Sequence, residues 1–160
     1  MKKISLLFVL ALFFSACQNN PAEGEEKSET TPEPAAAVEE DPNSPPAAPE
    51  GAKVFFANLM DGDTVSSPFL VEFGIEGMEV EPAGEVNAGK GHHHIIINNS
   101  FIEFGGTVPA DSVNIHYGKG QTSDSLDLIA GNYRLTMQFA DGFHRSYGEA
   151  LSSSIEIVVQ

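Results

Sequence analysis

The sequence predicts an all-β domain, an antiparallel β-sandwich of about seven to eight strands, over residues 51–160. Three observations predict it. Apolar residues alternate with polar ones at period two in several short runs, which lines them up on one strand face. Glycine-bearing dipeptides punctuate the runs at Asp61-Gly62, Gly105-Gly106, Ala130-Gly131 and Asp141-Gly142. Glycine supplies the positive φ that such reversals need. No long apolar pattern of period 3.6, the mark of an amphipathic helix, runs through the segment.

The strands follow in order. Lys53–Leu59 opens the series. Phe69, Val71 and Phe73 share one face of the next. His93–Ile97 is a third strand, and Phe101–Phe104 a further, weakly patterned one. Val113–Tyr117 and Ser125–Leu128 come next. Tyr133, Leu135, Met137 and Phe139 alternate with Arg134, Thr136 and Gln138, and Ile155, Ile157 and Val159 close the chain in the same manner. The run from Leu128 to Tyr133, the alternation after it and the Asp141-Gly142 turn look like the late strands of immunoglobulin-like domains. The sandwich is therefore read as immunoglobulin-like, without the Trp and the cysteine pair of antibody cores. A segment of about 110 residues buries one adequate core without disulfides. No internal repeat is present.

The first seventeen residues read as an export leader. Lys2 and Lys3 precede an apolar run from Ile4 to Phe14, broken only by Ser5. Its length suits the h-region of a signal peptide, and it falls short of the ~20 residues a transmembrane helix needs. Phe14-Ser15-Ala16-Cys17 resembles the bacterial lipobox, with Phe in place of the usual Leu. Cys17 is the only cysteine, so no internal disulfide exists and the lone thiol is the expected site of lipidation. Two or more acyl chains there would anchor the chain stably to a membrane. Gln18 follows instead of Asp. By resemblance to the sorting rule of enteric bacteria, this points to the outer membrane of the cell envelope, facing the periplasm or the surface.

Residues 18–50 read as a disordered acidic tether. They hold nine acidic residues, seven prolines and one lysine, with no aromatic residue. Such a segment buries too little apolar surface to offset its ordering entropy. The whole chain has a formal net charge of −15, and both the tether and residues 51–160 are acidic. Nucleic acid, which demands a basic face, is excluded as a partner, and so is polybasic attachment to anionic lipid.

All five histidines lie within residues 51–160. On a strand, His92 and His94 project together, and His93 joins the side of Ile95 and Ile97. A His-x-His pair can chelate a metal if neighbouring elements supply further ligands. His116, on the face opposite Ile115 and Tyr117, and His144, after the Asp141-Gly142 turn, are the candidates. Three or four imidazoles suit Zn²⁺ or Cu²⁺. Asp141 is a candidate ligand, or the carboxylate that fixes a histidine tautomer. Met60 and Met78 matter only for Cu⁺, which favours sulfur. His93 on the aliphatic side reads as a buried histidine near the site. Free imidazole titrates at ~6.5, which sets metal release near pH 6.

Three segments carry a resemblance. Gly91-His92-His93-His94-Ile95-Ile96-Ile97-Asn98, then His116-Tyr117-Gly118-Lys119-Gly120-Gln121-Thr122, then Ala140-Asp141-Gly142-Phe143-His144 resemble a bacterial family of domains of unknown function catalogued as number 4399. The stretch from Gly74 to Gly84 fits it too, and the likeness spans most of residues 53–160. The family pattern has Asp where this chain has Asn98, which removes a carboxylate from any site. The resemblance implies a sandwich-type fold and an exported location, and it assigns no activity.

Gly118 to Thr122 lacks both the spacing of a phosphate loop and a following helix. Lys119, Gln121 and Thr122 are instead expected to bind a ligand or to pin the histidine loop. No G-x-S-x-G nucleophile elbow is present. The leading reading is a lipid-anchored protein that binds copper or zinc and is not an enzyme. The alternative is an immunoglobulin-like module that binds protein or glycan, with an exposed aromatic patch near Tyr117, Phe143 or Tyr147. A redox metalloenzyme stands third, by fold analogy alone.

Overall fold

The computed structural model describes residues 41–160. The leader, Cys17 and the tether up to residue 40 lie outside the described residues. Nine strands form among the described residues: β1 Lys53–Phe56, β2 Thr64–Val65, β3 Phe69–Glu76, β4 Glu79–Val80, β5 Lys90–Ile97, β6 Asn114–His116, β7 Ser123–Leu126, β8 Gly131–Ala140 and β9 Ser152–Val159. One 3₁₀ turn, Glu149–Leu151, precedes β9.

Two sheets pack face to face. The smaller has the order β1-β3-β7, and the larger β2-β9-β8-β5-β4, with β6 pairing along β5. The expected antiparallel sandwich is what forms, and seven of the strands have three or more residues. Two short parallel pairings, β2 with β9 and β4 with β5, extend the larger sheet. Each is two residues long, too short to show any period in sequence.

The alternation read from the sequence fills the core. Phe69, Val71 and Phe73 of β3 face Leu135, Met137 and Phe139 of β8 and Ile155, Ile157 and Val159 of β9, and all are buried. Their neighbours Leu70, Glu72, Glu156 and Val158 are exposed. Fully burying each aliphatic or aromatic side chain contributes on the order of 1.5–3 kcal/mol.

Strands β5 and β8 depart from simple alternation because they are buried on both faces. Residues 98–108 and 144–151 cover the outer face. Gln138 Oε1 accepts the Ile102 amide, and Thr136 Oγ1 donates to the Asn99 carbonyl. The Ser146 hydroxyl donates to the Ile102 carbonyl. These bonds also correct the strand expected at Phe101–Phe104. Side chains of β8 and of the 144–148 segment take up that backbone, and it lies as a loop across the sheet. Asn98, where the family pattern has Asp, ends β5 at φ 60 and accepts the Arg134 amide. It stands at the opposite end of the strand from His92.

Residues 41–50, assigned to the tether by composition, rest against the domain. Pro45 is buried, Ala48 packs on the core, and the Pro42 carbonyl accepts from Arg145.

Candidate metal centre

The pairing register gathers the histidines. His92 lies opposite Ala140 and His94 opposite Gln138 on β8, while β6 sets His116 directly across from His94. Directly opposite residues of antiparallel strands share a face. His92, His94 and His116 therefore project together on the outer face of the larger sheet. β8 ends at Ala140, and the turn that follows swings His144 back over the same face. His144 takes φ 64 there, and its amide donates to the Asp141 carbonyl at 2.9 Å.

One potential ligand atom from each of His92, His94, His116 and His144 lies within 4.8 Å of all the others. His116 Nε2 is 3.2 Å from His92 Nε2 and 3.0 Å from His144 Nε2. A metal held by nitrogens at 2.0–2.1 Å in a tetrahedron spaces those nitrogens about 3.3 Å apart. These two separations are close to that spacing. Hydrogen bonding alone accounts for them less well, because both contacts use the same nitrogen of His116. His92 Nδ1 and both ring nitrogens of His94 are buried with no partner among the described residues. Buried polar atoms in native proteins are normally paired, and a neutral imidazole has one lone pair to direct at a cation, its other nitrogen carrying a proton, so an ion would take up one nitrogen of His94.

The electrostatics favour neutral donors. Burial pushes His92 down to about 4, with the neighbouring charges of His144 and His116 adding to the effect and Asp141 opposing it. Burial, then the charge of His92, pushes His94 down to about 2. His116 is also lowered, by burial and by His144. Neutral imidazole is the form that binds metal. His92 and His94 form the buried floor of the cluster, whereas His116 is exposed and His144 half-buried, so the cluster opens to solvent on their side.

His93 points the other way, into the core between the sheets. Its ring lies 5.3 Å from that of Phe73 and 5.0 Å from that of Phe139. Burial lowers it to about 4, and neither ring nitrogen has a partner among the described residues. Asp141 is fully buried and sits beneath the loop as its anchor. Oδ1 accepts the Phe143 and Arg145 amides, and Oδ2 pairs with the Arg145 guanidinium at 2.7 Å. Its oxygens are thereby committed to holding the turn that presents His144.

Lys119, Gln121 and Thr122 lie in the exposed turn after β6. Gln121 Oε1 accepts the Lys119 amide, and the Thr122 carbonyl accepts the Phe73 amide, so their bonds serve the turn and β3. Met60 is exposed and Met78 packs into the core. Tyr117 and Tyr147 are buried, and of the three aromatics named for an exposed patch Phe143 alone is exposed, at 58%.

Two glycines of the motifs shape the cluster. A Cβ on Gly118 would run into the imidazole of His116. Its absence lets that ring lie back over the chain. A Cβ on Gly142 would strike the Glu85 carbonyl, and the Gly142 carbonyl accepts the Gly84 amide at 2.9 Å. Both glycines were in view within the motifs, and only the packing shows why they must be small.

No curated protein and no solved structure matches the chain. Residues 71–160, which carry all five histidines, six of the nine strands and most of β3, match the model of the family described as Domain of unknown function (DUF4399), and the chain belongs to that family.

Proposed function

We propose that this domain binds one divalent ion, Cu²⁺ or Zn²⁺, through His92, His94, His116 and His144. In this reading it is a binding module and not an enzyme. It is carried by an exported lipoprotein that lipid on Cys17 holds at the outer membrane. The observation that supports the reading best is the convergence of four imidazoles, one ring nitrogen of each within 4.8 Å of the others. Nitrogen donors of this kind suit Cu²⁺ and Zn²⁺, and the hard ions Ca²⁺ and Mg²⁺ ask for oxygen. The exposed side at His116 gives an ion a path in and out without opening the core.

Calorimetric titration of the metal-free chain, residues 18–160, with each ion tests the proposal. One site per chain with sub-micromolar affinity is expected. The double variant His92→Ala/His94→Ala should lose that binding and keep its β-sheet circular dichroism, since the change empties one strand face and leaves the core intact. Equal binding by the folded double variant would sink the ligand assignment. No binding of either ion by the parent would favour a protein- or glycan-binding module.

A further inference from the structure

Arg145 joins three parts of the molecule. Its Nε donates to Asp141 Oδ2 at 2.7 Å, and its Nη1 donates to the Pro42 carbonyl at 2.9 Å. Its side chain is 15% exposed and that of Asp141 is fully buried. The segment it grips is folded into a turn. The Asn43 amide donates to Asp41 Oδ1 and the Ser44 amide to the Asp41 carbonyl, both at 2.9 Å. Pro45 is buried, and Ser44 lies over Gly105 at the distance where a Cβ on that glycine would touch it. On the other side, Asp141 organises the turn bearing His144, the one member of the cluster carried by a loop. The Val108 amide closes that turn by donating to the His144 carbonyl.

We infer that Asp41–Pro45 is a clamp on the metal site, acting through Arg145 as a positioning residue. The inference rests on the metal-binding reading above. The segment places a carbonyl on the guanidinium, the guanidinium is held against Asp141, and Asp141 holds His144 over His116. The unit competent for tight metal binding thus includes Asp41–Pro45, ahead of the first strand. The clamp is also the described segment nearest in sequence to the proposed lipid anchor.

Three chains test this: residues 18–160, the same chain with Arg145→Lys, and residues 51–160. Lysine keeps the charge and loses the fork that reaches two acceptors at once. Loss of a residue that orients a ligand typically lowers metal affinity by about 10- to 100-fold. That loss is expected for Cu²⁺ in both altered chains. The Cu²⁺ electron paramagnetic resonance spectrum should change from four imidazole nitrogens to three. Amide hydrogen exchange without metal reads the clamp directly, because the Phe143 and Arg145 amides should exchange faster once it is released. Arg145→Lys keeps the test valid if the shortened chain does not fold. Parental affinity, spectrum and exchange in Arg145→Lys would overturn the clamp. A parent that binds neither ion would overturn the metal reading and this inference with it, while the exchange rates would still show whether the loop is held.

Discussion

His116 reaches its partners because the residue two positions on has no side chain. Gly118 lies directly beneath the imidazole, and a methyl group there would occupy the ring's place. Gly118→Ala should therefore tilt His116 away from His92 and His144. The expected outcome is a loss of metal affinity of about 10- to 100-fold with unchanged circular dichroism, checked by the same titration. Proton competition is also set residue by residue. The sequence alone places metal release near pH 6, from the value of free imidazole. Burial holds His92 at about 4 and His94 at about 2, so these two take up protons only well below pH 6. Measured between pH 7 and 5, affinity should decline gradually, and an abrupt loss at pH 6 would show that the buried pair titrates like free imidazole. The shared direction of His92 and His94 was legible from period two. The meeting of His116 and His144 with them was not, because it depends on strand register and on a turn held by Asp141 and Arg145.

At the scale of elements, β5 and β8 show what periodicity reveals and what it hides. The inward face of β8 was readable from Leu135, Met137 and Phe139. Thr136 and Gln138 read as a solvent face, yet both are fully buried. The reason is the cover laid across the sheet by residues 98–108 and 144–151, a long-range contact with no local signature. Gln138 makes that cover possible. Its Oε1 accepts the Ile102 amide, and its Nε2 lies 3.1–3.2 Å from the carbonyls of Phe139, Gly148 and Leu151. Gln138→Ala leaves several buried polar groups unsatisfied, each costing about 1–3 kcal/mol. A destabilisation of at least about 2 kcal/mol is expected, seen as a lower urea midpoint at unchanged slope. The segment Phe101–Phe104 reads as a strand for the related reason that its apolar residues serve a cover, where no pairing partner sets a period.

The whole molecule carries a cost that the metal can offset. His92, His93 and His94 are buried and neutral in the folded chain, with His92 and His93 pushed to about 4 and His94 to about 2. In the unfolded chain each titrates near 6.5. Between about pH 6.5 and 4 the unfolded state binds protons that the folded state refuses, so stability falls as pH falls. Each group contributes a slope of up to about 1.4 kcal/mol per pH unit. Three such groups acting together are large against a total stability of about 5–15 kcal/mol. The metal-free domain should therefore lose melting temperature steeply between pH 6.5 and 4.5. His93→Leu, which removes one of the three from the core without touching the cluster, should make the fall shallower. A saturating ion adds stability that grows with its concentration, about 2.7 kcal/mol at one hundred times its dissociation constant. Melting with and without Cu²⁺ at pH 6.5 should separate by several degrees, and the gap should narrow toward pH 4 as protons take the ligands. A melt that is flat over this range without metal would mean that the buried histidines keep their protons in the folded state and find partners there, which removes the ground for a cation between them.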